Sequence, residues 1–505
     1  MAEDDDEREA IARLYRRAAF GLAPGELDDL AALGVDTVID RLVDGDAHGV
    51  PAAPDDPWAG LELPLFDSGG AAVDAVDRWL DLLLGAARPF EEWMAWYWHG
   101  HLVSSVAVVV HVPTMVGQIR LLRRAGLGSF ADLLRAITVD AAMLRYLDGG
   151  ESTAAAPNEN YSRELLELFA LGVGSFTEDD VQAGARALTG WRIVADIANP
   201  DPVAAAGRGE LVAANHDDTP QRYLGRRGVH DVDTVIDAVV SHEACAPFVA
   251  SRLARAVLGP EADPGLLRDL GRRFRDADLD LRVLARGVLE AVAEGRTAGL
   301  VLGPMPWLLA AQRATGAVLD PEARHWALYD AGHLPFWPPN VGGWPGGANW
   351  LTSSTTAQRY TLAGAVAAAT AVDHPARRAA AAGDLAALAG ALGRPAGFGD
   401  ATGSGGRRSR PATTASARWS WPSPHPTWCW RDQRSEPPAV PGPRRRRRRC
   451  RGGRRVGVAR AARRPGAWSR RRPGRGPRCR RPARPGPGGG GVGRRQRRAE
   501  HPGAR

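Results

Sequence analysis

The run Asn158-Glu159-Asn160-Tyr161-Ser162-Arg163-Glu164-Leu165-Leu166-Glu167-Leu168-Phe169 carries two carboxylates one helical turn apart, beside an amide and a guanidinium. Helical spacing places Asn160, Arg163, Glu164 and Glu167 on one stripe, while Tyr161, Leu165, Leu168 and Phe169 fill much of the rest. Such a stripe can do general acid/base work or hold an oxygen-preferring divalent metal. It can also be an internal ion-pair network in which Arg163 reaches Glu167, the commoner use of such residues.

Three other segments offer chemistry. His216-Asp217-Asp218 follows a possible strand, and a histidine beside acids in a loop is a candidate base or ligand. His99 and His101 flank Gly100 after the aromatic run Trp93, Trp96 and Tyr97. Two residues apart on a helix they diverge by about 200°, so one metal takes both only if the helix has ended at Gly100. His101 shares a side with Trp93 and Tyr97, which favours a packed, hydrogen-bonded core histidine. The segment Trp337-Pro338-Pro339-Asn340-Val341-Gly342-Gly343-Trp344-Pro345-Gly346-Gly347-Ala348-Asn349-Trp350 combines rigid prolines, permissive glycines and large rings. It can wall a ligand pocket by stacking on a flat or sugar-like group, or plug a helical bundle. Candidate catalytic residues are therefore Glu164, Glu167, His216 and Asp217. Candidate binding residues are Asn160, Arg163, His101, Trp191, Asn340 and Trp344.

The elements that must position these residues are mostly helices. Up to about residue 375 apolar residues recur at three and four. They do so through Leu27, Leu30 and Leu33, then Val38, Ile39, Leu42 and Val43, with Gly34 as a stop between them. The habit continues through Ile119 to Ile137, Val235 to Val240, Phe248 to Val257 and Leu281 to Val292. Thr177 followed by Glu178, Asp179 and Asp180 has the form of a capping box at a helix start. Pro157 and Asn158 open a helix that Gly172 or Gly174 closes. Between Trp191 and Gly228 the period weakens, and Trp191–Val194 and Glu210–Val212 can pair as a small hairpin. The Pro and Gly density of 332–350 forbids a long helix, yet its aromatic rings argue for a packed loop.

Composition separates two polymers within one chain of 505 residues. Residues 401–505 hold 31 Arg against three acids, whereas residues 1–400 hold 34 cations against 55 acids. Every cation is Arg, which points to a GC-rich gene. Arg, Gly and Pro make 63 of the last 105 residues, a composition unable to bury enough apolar surface to offset its ordering entropy, so a disordered tail is expected. An arginine-rich tail can attract nucleic acid nonspecifically through Arg444–Arg449. The favoured reading is a shifted translation. Moving the frame from Arg418 to Trp430 yields a sequence close to an ordinary apolar helix and turn, and the tail then has no selected role. The resulting organisation is a helical domain over 1–375, a partial helix and linker over 376–400, and a basic tail over 401–505.

No apolar run approaches the roughly 20 residues that a membrane span needs. Met1–Glu9 carries six acids where a secretory signal needs a basic stretch, so a cytoplasmic location is expected. Only Cys245 lies ahead of the tail, which supports neither a disulfide framework nor a cysteine zinc site.

Seven spaced blocks give the chain a family likeness. They are Arg16-Arg17-Ala18-Ala19-Phe20-Gly21, Trp98–Leu102, Asp140–Asp148, Asn158–Gly174, Ala187-Leu188-Thr189-Gly190-Trp191, His216-Asp217 with Leu224-Gly225, and Pro338–Trp350. In this order they resemble a large bacterial family catalogued as domain of unknown function number eighteen hundred, over about residues 10–365. The resemblance implies a mainly helical fold and no assigned activity. It also implies that many relatives are exported and often encoded beside a sulfatase-like or phosphatase-like companion. Gln221 and Arg222 stand where relatives tend to have Lys, and Glu243 stands where Pro is usual. Relatives continue past residue 400 with an apolar helix, much like the shifted reading.

Two function classes follow. The first is a hydrolase-like or metal-assisted enzyme using Glu164 and Glu167, assisted by His216 and Asp217. Arg163 steers an anionic group and the 337–350 loop encloses substrate. The second is a non-enzymatic accessory protein whose polar stripe fixes the fold while the aromatic loop docks a companion or a glycan. Nucleic-acid binding through the tail ranks last.

Overall fold

The computed structural model describes residues 2–52, 56–64 and 70–397, all within one unit spanning Met1–Arg408. The expected disordered tail and its reading as a shifted translation lie outside the described residues.

The fold is mainly helical, as the periodicity predicts, and its helices begin by ordinary local rules. Pro89, Pro264, Pro304, Pro321 and Pro375 each occupy the first position of a helix, where the missing N–H costs nothing. Asp140, Asp263, Asp280 and Asp320 cap the free amides of the helices that follow them. Thr177 and Asp180 form the expected capping box, each side chain taking the other's backbone N–H. The predicted runs become helices Val35–Val43, Val112–Ala125, Phe130–Thr138, Val232–Val240, Cys245–Leu258 and Leu281–Ala293.

Two departures concern the candidate site. The helix expected from Asn158 is α-helical only over Asn160–Glu164 and becomes π-helical over Leu165–Ala170, where Leu171 N and Gly172 N both donate to Leu166 O at 3.0 Å. The weak-period region holds two antiparallel ribbons rather than one. Trp191–Val194 pairs with Arg208–Leu211, close to the expected hairpin, and Gln221–Tyr223 pairs with Arg226–Val229. The second ribbon turns on Leu224 and Gly225, both at positive φ (49° and 77°). A leucine there hides the usual Asn-Gly signal, and the Leu224 N–H is held instead by Asp180 Oδ1 at 2.7 Å.

Helix Pro89–His101 is the axis of the molecule. Trp93, Met94, Ala95 and Trp98 are buried within one continuous core cluster. Trp98 Nε1 donates to Gly126 O at 2.8 Å. Glu92 and Arg123, both almost fully buried, pair at 2.8 Å and tie this helix to Val112–Ala125. Removing one member of such a pair strands a buried charge.

The aromatic loop is docked onto the same helix by backbone contact. Gly343 sits at φ 81°, and a Cβ there would lie 2.1 Å from Gly100 O. A Cβ on Gly100 would in turn meet the Trp344 ring at 3.3 Å. Two glycines let loop and helix touch where no side chain fits. The Phe336 N–H donates to His99 Nε2 at 3.0 Å, and Phe336 O accepts from Val106 N at 2.9 Å. Phe336 itself is fully buried at φ 71°. The loop is thus packed, with a single 3₁₀ turn at Gly347–Trp350.

Gly343→Ala should therefore destabilise the fold by well over about 1 kcal/mol, since it combines backbone collision with left-handed strain. Gly346→Ala, with φ −115° and no atom near the added methyl, should stay within about 0.5 kcal/mol of wild type. Urea denaturation of the two variants checks this contrast.

Candidate functional site

The polar stripe is assembled differently from the simplest expectation. Arg163 turns away from Glu167: its guanidinium pairs with Glu159 at 3.0 Å and with Glu178 at 2.7 and 2.8 Å. Glu178 sits in the first turn of the next helix and adds a second carboxylate for the fork to grip. Asn160 is exposed and donates to Asp148 Oδ2 at 3.3 Å. Glu164 and Glu167 remain neighbours, both half-buried. Burial raises the Glu164 carboxyl above its ordinary range, and Glu167 adds to the rise while Arg163 opposes it. Glu164 ends the α-helical segment and Glu167 lies on the π-helical turn that follows.

His216 and Asp217 belong to a different contact set. His216 Nδ1 donates to Thr189 O at 2.8 Å, and Thr189 Oγ1 accepts from the Asp217 amide at 2.8 Å. Gly190, at φ 91°, leaves room for this crossing, because a Cβ there would lie 2.8 Å from His216 Cβ. Asp217 Oδ1 caps Thr219 N at 3.1 Å, and its other oxygen lies 3.8 Å from Arg186. The Thr219 hydrogen bond, helped by Arg186 and His216, holds the Asp217 carboxyl below its usual range. No hydrogen bond or ion pair among the described residues joins this clasp to Glu164 or Glu167. Trp191, half-buried, opens the adjoining ribbon. Among the described residues no group of three or more His, Cys, Asp or Glu side chains is placed to hold a metal ion.

The aromatic loop instead closes a cleft of about 410 Å³. Its walls come from the Pro89–His101 helix (Trp93, Trp96, Tyr97, Gly100, His101), the Cys245–Leu258 helix (Arg252, Arg255), the 300–303 segment, His333, and loop residues Trp344 to Trp350. Arg17 from the first helix completes it. Trp93, Tyr97 and His101 form a parallel ladder one helical turn apart, with centroids at 5.7 and 5.8 Å and planes within 8°. Across the cleft His333 stacks on Trp350 at 4.6 Å and meets Trp344 edge-on at 5.1 Å. Asn340 shapes the loop rather than the cleft, its Oδ1 accepting from Gly342 N at 2.9 Å. None of Glu164, Glu167, His216 and Asp217 lines this cleft. His101 links it to the π-helical turn, its Nε2 bonding Phe169 O at 2.9 Å.

Hydrogen-bond partners fix the imidazole tautomers. A carbonyl can only accept, so His101 carries its proton on Nε2 and its Nδ1 is a bare acceptor. Met305 N donates to His333 Nδ1 at 3.3 Å, so His333 carries its proton on Nε2. Burial holds both rings neutral, each down to about 3, with Arg252 adding to the effect on His101 and Arg359 to that on His333. His99, on the loop's inner side, is likewise held down to about 3 by burial. Five cleft-lining residues carry a buried polar atom with no partner: Trp96 Nε1, Tyr97 Oη, His101 Nδ1, His333 Nε2 and Trp344 Nε1. Each of these atoms is sealed from solvent and has no partner among the described residues, at a cost of about 1–3 kcal/mol for an unpaired buried group.

The chain matches the family described as Protein of unknown function (DUF1800) over residues 13–413. It belongs to the DUF1800 family. No curated protein and no solved structure matches it. Three of the blocks that carry the DUF1800 resemblance meet at the aromatic cleft, through Arg17, through Gly100 and His101, and through Trp344 to Trp350. Two others, Thr189-Gly190 and His216-Asp217, meet each other in the clasp.

Sequence reading missed Arg17, Arg252, Arg255 and His333 as site residues of this DUF1800 protein. A signal did exist for two of them. The helix Cys245–Leu258 contains no acid, so Arg252 and Arg255 have no carboxylate one turn away.

The three neutral imidazoles give a sign for pH dependence. Their folded values lie below the ordinary 6.5, so the unfolded chain takes up protons first as the medium is acidified. Stability should be complete above about pH 6.5 and drain away as pH falls toward 3. His325, held down to about 4 by burial, acts with them, while buried Asp140, its carboxyl pushed up to about 6 by desolvation, and the raised Glu91 and Glu164 act in the opposite sense. Calorimetric Tm values at about pH 7, 5.5 and 4 should fall in that order.

Proposed function

We propose that this protein is a binding or accessory protein whose ligand, a sugar-like or other flat ring, is held in the cleft between the Trp93–Tyr97–His101 ladder and the Trp344–Trp350 loop. The observation that carries this reading is a cleft of about 410 Å³ walled by the stacked Trp93, Tyr97 and His101 rings together with Trp344 and Trp350. Indole and imidazole faces cover the apolar side of a ring, and guanidinium groups at the cleft address its oxygens. The loop's attachment through Gly343 and Phe336 makes the cleft largely pre-formed, which limits the ordering cost of binding.

Titrating the protein with a panel of aryl glycosides and oligosaccharides while following tryptophan fluorescence tests the reading. A saturable change is expected for at least one ring compound. Trp344→Ala should weaken it about ten-fold or more, and Trp344→Phe, which keeps a ring against His99 and His333, should retain most of it. No saturable change with any ring compound refutes the proposal.

A second reading rests on a separate observation. Glu164 has a raised carboxyl value beside Glu167 on a π-helical turn, and such turns recur at functional sites. In this version Glu164 is a general acid for hydrolysis, with Glu167 as the charged partner. Any hydrolytic activity of the purified chain should then fall at least about 100-fold in Glu164→Gln, with the fold intact by circular dichroism. An activity that survives the substitution removes Glu164 from the chemistry.

A further inference from the structure

Resting on the cleft as the binding site, we infer that its ligand carries an oxyanion on the ring, such as a carboxylate or a sulfate or phosphate ester, and that Arg252 and Arg255 select for it. Three guanidinium groups line the cleft, and not one Asp or Glu does. Residues 1–400 are acidic overall, and several arginines there are matched with carboxylates. Arg88 meets Asp46 and Glu91, Arg120 meets Asp56 and Asp201, Arg313 meets Glu26, and Arg324 meets Asp77 and Asp81. Arg252 and Arg255 are exposed and make no hydrogen bond or ion pair among the described residues. Arg17 donates to two backbone carbonyls, Val257 O and Ala298 O, each at 2.8 Å, which orient it and leave its charge uncompensated.

The neutral groups point the same way. By the tautomers fixed above, the unpartnered atoms of Trp96, Trp344 and His333 are donors, Tyr97 Oη can donate, and only His101 Nδ1 is restricted to accepting. A lining with three guanidinium groups and no carboxylate is the complement of a ligand rich in acceptor oxygens and bearing net negative charge. Positive potential at the cleft also shows in the imidazoles, since Arg252 and Arg359 both disfavour their protonation.

The surface depression of about 720 Å³ around Arg135 provides a contrast. Its Arg135 is occupied by Asp132, Asp233 and Asp237, and Asp132, Asp237, Asp278 and Asp280 line it beside Arg275, whereas no carboxylate lines the aromatic cleft.

Calorimetric titration of the full chain with a matched set of probes tests the inference: phenyl β-D-glucoside, phenyl β-D-glucuronide and phenyl β-D-glucoside 6-sulfate share the ring and differ in charge. Both anionic probes should bind about ten-fold or more tightly than the neutral one. The tighter of the two assigns a planar or a tetrahedral oxyanion. The preference should collapse to within about two-fold in the doubly substituted Arg252→Gln, Arg255→Gln chain, and should shrink as salt rises from about 0.05 to 0.5 M. The neutral probe should bind the doubly substituted chain as it binds wild type, which also reports an intact cleft. Equal binding of all three probes to wild type overturns the charge selectivity and leaves the cleft as a ring-binding site. A preference that persists in the doubly substituted chain also overturns it. Absence of binding by every probe at millimolar concentration overturns both.

Discussion

The contact between Gly100 and Gly343 is the constraint on which the rest of the structure turns. It brings a loop more than two hundred residues away down onto the aromatic helix at backbone-to-backbone distance. Neighbouring groups then fall into place. Phe336 lends its amide to His99, Trp344 lies over Gly100 and against His99 and His333, and His333 stacks on Trp350. Without the two glycines the loop stands off the helix, and the cleft opens into a groove with no far wall.

That arrangement divides the family's sequence blocks by physical task. Thr189, Gly190, His216 and Asp217 form a clasp in which a carbonyl, a hydroxyl and a missing side chain hold two strands of chain together. Asp180 belongs to a similar fastening, capping its own helix and holding Leu224. The blocks around Arg17, Gly100 and Trp344 instead surround the aromatic cleft. His101 bridges the two realms by fixing Phe169 O at the end of the π-helical turn. Glu164 and the cleft thus lie on opposite sides of one shared hydrogen bond rather than in one site.

Much of the fold is legible in the sequence because its signals are local. Proline at a helix start, aspartate as a cap and the Thr177–Asp180 box each act within one turn of chain. Packing of the 332–350 loop was readable from its rings, and so was the shared side of Trp93, Tyr97 and His101, since both follow from spacing on a single element. The π-helical widening at Leu165–Ala170 left no mark in the apolar pattern, and the Leu224-Gly225 turn lacked the usual residue at its first left-handed position. Arg163 pairs with Glu178 rather than Glu167 because that carboxylate comes from the next helix, beyond what local spacing can read. The cleft was the least legible feature. Its charge is contributed from positions 17, 252 and 255, and its unpaired donors are recognisable only once burial is known. The domain boundaries and the out-of-frame reading of the arginine-rich segment stand on composition alone.

The most direct test of where this molecule binds is crystallographic: the full chain soaked with phenyl β-D-glucuronide at saturating concentration. Density for the sugar ring against Trp344 or the Trp93–Tyr97 ladder, with its carboxylate within hydrogen-bond reach of Arg252 or Arg255, is the expected result. Density confined to the neighbourhood of Glu164 and Glu167, with the aromatic cleft holding only water, would contradict it.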